Sequence, residues 1–245
     1  MIYCFGDSLT QGVPGTAYSK FLTKSQKHLN LGLGGDTIIG VTAGIQKRWL
    51  SRIKPEDTVI LGIGTNDFLM PYYLELPKQW HMAYEVAIKA GMIPCSSERD
   101  YFDRFYQLLE LLYEKTQSII VFSLPFVECN ENDFNERFGQ YNIKLSEICA
   151  QFGLPFVDIR SRQAEIRSNS PAKGSHFNIT ADKSEKNVVR DAAMTRFAML
   201  EKAMCKKRDL AVTVDGLHFN RLSAMTLAGL FNDILDAKQS AVALK

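Results

Sequence analysis

Several things that would direct the reading of a chain are missing from these 245 residues. There is no Cys-x-x-Cys pair, and the five cysteines, at positions 4, 95, 129, 149 and 205, are scattered and odd in number. That argues against a disulfide framework or a zinc site and predicts free thiols in a reducing compartment. No apolar run approaches membrane-spanning length. The first apolar segment starts at Ile2 and leaves no room for a signal peptide, so the expectation is a soluble, cytoplasmic protein. The net charge is only +2, which gives no reason to expect a nucleic-acid partner. Internal repeats and low-complexity segments are absent. Gly32-Leu33-Gly34-Gly35 lacks the third glycine of a dinucleotide-binding turn. No metal or organic cofactor is expected.

What the chain does have is 46% hydrophobic content, enough for one well-buried core. Apolar runs alternate with helical patterns. Strands are predicted at Ile2 to Phe5, His28 to Gly32, Thr58 to Gly64, Ser118 to Ser123 and Pro155 to Asp158. Helices are predicted at 17–27, 38–53, 78–90, 98–117, 133–152 and 221–238. The pattern predicts an α/β fold with a doubly wound, five-stranded parallel sheet. From Arg160 to Asp209 the texture changes: 12 Lys+Arg stand against 6 Asp+Glu, a net +6, so the remainder carries −4. Here Asp182-Lys183-Ser184-Glu185 suggests a capping box. Val189, Ala193, Phe197, Leu200 and Met204 suggest the buried stripe of one helix reaching about Lys207. The chain is expected to be a single domain, 1–245, with this basic helical stretch as an insertion.

The chemistry is written at the carboxyl ends of the strands. The first strand stops at Gly6 and is followed by Asp7-Ser8, which places a serine hydroxyl at the sheet edge where α/β proteins bind ligands. The loops after the second and third strands carry Gly34-Gly35 and Gly64-Thr65-Asn66-Asp67. The Ser8 and Gly35 amides and the Asn66 side-chain NH₂ can converge as donors for an oxyanion. A serine hydroxyl needs a base, and an imidazole base needs a carboxylate to hold its tautomer. Asp215-x-x-His218 supplies both within one turn, and of the four histidines only His218 has such a partner written locally. Asp7 and Asp67 read as structural hydrogen-bonding groups, His176 as a solvent-exposed loop residue and Cys4 as packing.

Four blocks taken in order, Gly6-Asp7-Ser8-Leu9, the glycine of Gly35-Asp36-Thr37, Gly64-x-Asn66-Asp67 and Asp215-x-x-His218, resemble the GDSL family of hydrolases, the SGNH hydrolase superfamily. The resemblance spans residues 6 to 218. It implies a flavodoxin-like three-layer α/β/α fold and esterase, lipase, thioesterase or carbohydrate-deacetylase activity. It also implies Ser8 as nucleophile, His218 as base, Asp215 as orienter, and Ser8, Gly35 and Asn66 as oxyanion hole. The chain departs from the family in having Phe219 where proline often follows the histidine, and in the long basic stretch before Asp215.

The expected substrate is a small-molecule ester: a short acyl ester, an acetylated sugar or a lysophospholipid. Phe68 to Leu74, just after the asparagine, is apolar but broken by Pro71, and Phe68, Leu69 and Tyr72 within it are expected to line the acyl or aryl pocket. Two other readings fit the same residues, an acyltransferase using the same triad and a non-enzymatic flavodoxin-like binding module. Oligomeric state is not written in the sequence.

Overall fold

The computed structural model describes every residue except 24–26, 76–77, 129–131, 173–184 and 244–245. Five apolar runs form β1 (Ile2–Gly6), β2 (His28–Gly32), β3 (Thr58–Gly62), β4 (Ile119–Phe122) and β5 (Phe156–Val157). All pair in parallel, in the order β2-β1-β3-β4-β5. Successive side chains on a strand point to opposite faces, and both faces are apolar here, as a parallel sheet covered on both sides requires. Tyr3, Phe5, Val59, Leu61, Ile119 and Val121 enter one core. Ile2, Cys4, Ile60, Ile120 and Phe122 enter the other.

Helices cover each face. Ser8–Gln11 (α1) is a single turn at the end of β1. The first core is roofed by Ile38–Gly44 (α2) and, after Thr65–Tyr72 (α3) and Lys78–Lys89 (α4), by Glu98–Tyr113 (α5) and Asn132–Gln151 (α6). Ile38, Val41, Tyr101, Phe105, Leu109, Leu112, Phe138 and Leu145 are the buried contacts of that roof. Each such side chain contributes roughly 1.5–3 kcal/mol by leaving water. Then come Ile159–Ser168 (α7), Glu185–Met194 (α8), Ala198–Arg208 (α9) and Arg221–Ala243 (α10). Leu227, Phe231 and Leu235 of α10 close the second core with Tyr18 and Ile159. The result is the three-layer α/β/α sandwich.

The structure corrects four local expectations. Residues 17–27 do not form a helix: a short 3₁₀ turn, Tyr18–Phe21, is all that forms among the described residues there. The Tyr18 ring is wedged edge-on between Phe122 and Phe231, with centroids 5.5 and 5.2 Å away, and the chain leaves in an extended conformation at Leu22. The helix expected over 38–53 is α-helical only to Gly44 and widens into a π turn over Ile45–Trp49. Pro71 does not break the apolar stretch after Asn66: α3 runs through it to Tyr72.

The fourth correction concerns the stripe ending at Met204. The predicted single helix is two, α8 and α9, and Phe197 and Leu200 are exposed. Helix α8 ends just before Thr195, whose amide and hydroxyl both donate to the Asp191 carbonyl and whose oxygen accepts from the Gly15 amide. On α9 the buried face is Glu201, Met204, Cys205 and Arg208. The Asp182-to-Ser184 part of the capping box lies outside the described residues. Among the described residues no helix is long and apolar enough to cross a membrane.

Candidate active site

The carboxyl ends of β1, β2 and β3 are level, and each ends in glycine: Gly6 pairs with Gly32 on one side and Gly62 on the other. None of the three has room for a β-carbon. At Gly6 it would stand 2.3 Å from the Gly62 carbonyl, at Gly32 2.3 Å from the Gln11 amide, and at Gly62 1.9 Å from the Phe122 ring. With these side chains missing, α1 settles directly on the sheet edge. The Asp7 carboxylate caps it by accepting from the Leu9 amide at 2.9 Å, and Gly12, at φ +75°, ends it. Ser8 is thereby the first residue of a one-turn helix at the sheet edge.

The imidazole beside Ser8 arrives from the far end of the chain. His218 Nε2 is 2.9 Å from Ser8 Oγ, and His218 Nδ1 is 2.8 Å from Asp215 Oδ2. The other Asp215 oxygen accepts from the amides of Leu217 (3.1 Å) and His218 (2.9 Å). Those amides fix the carboxylate, so Nδ1 carries the proton toward it and Nε2 presents its lone pair to the serine hydroxyl. Gly216, at φ +94°, supplies the left-handed step that brings the two side chains to one side. Asp215 is 1% exposed, His218 8% and Ser8 9%, so the line of groups is shielded from bulk water but open at the serine end.

The oxyanion candidates stand in the loops after β2 and β3. The Leu33 amide donates to the Gly6 carbonyl at 2.9 Å, tying the glycine loop to the end of β1. A β-carbon built on Gly34 would be 4.0 Å from Ser8 Cβ. Gly35, at φ +81°, lies under Met92, whose sulfur would be 2.4 Å from any β-carbon there. Asn66 Nδ2 donates to the Asp36 carbonyl at 2.9 Å, which orients the amide and leaves its second N–H for a ligand. Asp67 is structural: its two oxygens accept from the Ile38 amide at 2.9 Å and the Cys95 amide at 3.2 Å, pinning α2 against α3. Burial pushes Asp7, Asp67 and Asp36 each up to about 6, with hydrogen bonds from neighbouring amides opposing the rise.

The expected pocket residues do not form a pocket wall as a set. Leu69 is 2% exposed and belongs to the core under α3, so its assignment to the substrate cleft is corrected to packing. The Phe68 ring stacks on Tyr141 at 4.1 Å and meets Tyr101 edge-on at 4.7 Å. Tyr72 meets Phe134 edge-on at 4.6 Å. Their period along α3 directs them to α5 and α6, which sequence proximity to Asn66 does not reveal. Cys4 is buried, and burial pushes its thiol up to about 12, as for Cys149 and Cys205. Cys129 and His176 lie outside the described residues.

Met92, over Gly35, was not signalled by any motif. Nor were the anchors of the 211–220 loop that come from the basic stretch. Arg208 reaches into the core, bonding both Asp191 oxygens at 2.8 Å and the Val214 carbonyl at 2.6 Å. Glu201 accepts from the Thr16 hydroxyl and from the Arg221 amide.

Comparison with known proteins follows the same lines. Residues 4–183 match the model of the GDSL-like lipase/acylhydrolase family. That match takes in the end of β1 and all of β2 to β5, and stops before Asp215. Among solved structures, the acetylxylan esterase Axe2 from Geobacillus stearothermophilus is 18% identical, with a TM-score of 0.61 over 94% of this chain and 91% of that one. A catalytic mutant of it gives 17% and 0.62 over the same shares. The lipase/acylhydrolase from Enterococcus faecalis is 14% identical, with a TM-score of 0.58 over 97% of this chain and 95% of that one. None of the curated proteins matches the chain.

Proposed function

The chain belongs to the GDSL-like lipase/acylhydrolase family and is a serine ester hydrolase; from that premise we propose that it cleaves small carboxylic esters through an acyl-enzyme on Ser8. The observation that carries this reading is the unbroken line Ser8 Oγ, His218 Nε2, His218 Nδ1, Asp215 Oδ2, with contacts of 2.9 and 2.8 Å. His218 takes the hydroxyl proton as Ser8 attacks the acyl carbon. Asp215 supports the charge that forms on the imidazole. The tetrahedral oxygen sits among the Ser8 and Gly35 amides and Asn66 Nδ2. His218 returns the proton to the leaving alcohol, then activates water to release the acid.

Support also comes from the solved Axe2 structures, which include catalytic mutants with a serine, a histidine or an aspartate replaced by alanine. The same esterase makes acetylated xylooligosaccharides the first substrates to try, beside short acyl esters and lysophospholipids. The basic stretch is read as an insertion within one domain, because Thr195, Glu201 and Arg208 bond to the Gly15–Thr16 and Val214 segments.

The test is a panel of acetyl-sugar, p-nitrophenyl and lysophospholipid esters against the protein and its Ser8→Ala variant. The variant should fold and lose about 10⁴-fold or more in kcat on any ester the parent cleaves. Turnover near that of the parent would overturn the assignment.

A further inference from the structure

Glu128 stands in the loop after β4, 87 positions before the aspartate of the acid–base pair by the chain's numbering. It is a single carboxylate with no motif around it. Its side chain is 0% exposed. A buried carboxylate is costly unless several donors converge on it. Here they do, and nearly all come from one short segment. Oε2 accepts from the Val212 amide at 3.0 Å, the Thr213 amide at 2.8 Å and the Thr213 hydroxyl at 2.7 Å. Oε1 accepts from the Ala211 amide and faces Arg167 Nε at 3.4 Å.

The clasp closes on the other arm of the turn as well. The backbone amide of Glu128 donates to the Gly216 carbonyl at 2.8 Å. The Thr213 oxygen, having given its proton to Glu128, accepts from the Gly216 amide at 3.0 Å. Glu128 therefore holds residues 211–213 with its side chain and Gly216 with its backbone, and Thr213 joins the two arms. Asp215 and His218 sit on the segment so enclosed, between Gly216 and the pairing of Thr213 with Phe219. The Val214 amide donating to the His218 carbonyl at 2.9 Å completes the turn.

We propose that Glu128, relayed through Thr213, is the positioning residue that holds the Asp215–His218 turn in register with Ser8. This rests on the reading of Ser8, Asp215 and His218 as the reacting line. Glu128 touches no reacting atom. It fixes where the imidazole stands, and a displacement of the imidazole by about 1 Å is enough to cost about 100-fold in rate.

The relay gives a clean test because threonine has an isosteric and a conservative replacement. Thr213→Val keeps the shape and removes both bonds. Thr213→Ser removes the methyl and keeps both bonds. The three parameters to measure are kcat, KM and the thermal midpoint, on whichever ester the panel above gives, with the low-field proton resonance of His218 Nδ1–H as a structural readout. Thr213→Val and Glu128→Gln should lower kcat about 10- to 100-fold, with KM within about twofold, and shift or broaden that resonance. Thr213→Ser should stay within about threefold of the parent in kcat and keep the resonance in place. Two results overturn the proposal: a folded Thr213→Val with the kcat of the parent, or a Thr213→Ser as impaired as Thr213→Val, which would make the site a matter of packing. Failure of the underlying triad reading is separate, since it would appear as retained turnover in Ser8→Ala.

Discussion

The two halves of the proposed active site are built by different means. The half that carries Ser8, Gly6 to Asp67, rides on three adjacent parallel strands whose register brings the loops bearing Ser8, Gly35 and Asn66 to one edge. Each of its residues lies a few positions from a strand end. The acid–base half, residues 211–220, has no strand of the sheet to stand on. It is held by buried charged groups: Glu128 after β4, more than eighty residues away, and, nearer in sequence, Arg208 paired with Asp191 and Glu201 at the junction with α10. The difference teaches that one half is specified by regular backbone geometry and the other by a few individually costly polar anchors. Damage to the first should be local and chemical. Loss of an anchor of the second should spread to stability.

The largest break in that comparison is expected at Asp215. Asp215→Asn preserves shape and allows the amide to accept where the carboxylate did, but it no longer enforces the Nδ1–H tautomer. A fall of about 10⁴-fold in kcat with an unchanged urea midpoint is expected; a fall of less than about tenfold would show that the carboxylate does not set the tautomer. Next is Asp191→Ala, outside the reacting line altogether. It leaves the Arg208 guanidinium buried against the Val214 carbonyl without its carboxylate, which should cost about 3–5 kcal/mol in urea unfolding. If the acid–base half is anchored as described, kcat of the remaining folded protein drops with it. Unchanged stability would mean that the pair anchors nothing.

The smallest effect has the opposite sign and belongs to the half that carries Ser8. Burial raises Asp7 from 3.8 to about 6, opposed mainly by the Leu9 amide and then by the charge of His218. A raised value means the folded chain holds that proton more tightly than the unfolded chain does. Stability from this group is therefore full below 3.8, declines between 3.8 and about 6, and is gone above. Asp7→Asn keeps an acceptor for the Leu9 amide and removes the buried charge. It should stabilise the protein at pH 7 by up to about 2 kcal/mol, the gain disappearing below about pH 4, while kcat falls severalfold because a negative charge near the imidazolium is lost. A pH-independent difference between the two proteins would assign the effect to something other than this proton.

The same contrast explains what could be read from the residues. The sheet was legible because β-branched and aromatic runs bounded by glycine leave few alternatives, and its register then placed three of the four blocks. Asp215 and His218 were legible because their partnership is local, three positions apart. Glu128 was not: its partners lie more than eighty residues on, and a lone glutamate in a loop reads as solvated. Arg208 and Glu201 sat in a run of charges that composition counts as exposed surface, yet both are buried. The pocket assignment failed at Leu69 because adjacency to Asn66 in sequence says nothing about which way a helical side chain turns. The stripe through Phe197 failed because an apolar repeat does not reveal that the chain leaves the helix between Met194 and Ala198.

The row Gly6, Gly32, Gly62 has a consequence for anyone who would remodel this protein. Each of the three positions tolerates no added atom, and all three border the site on the sheet side. Any substitution at these codons forces the Gly62 carbonyl, the backbone at Gln11 or the Phe122 ring to move, so libraries aimed at substrate range should lose stability there first. Half-buried Met92, in the loop over Gly35, is a position where side-chain size can change without touching the strand ends.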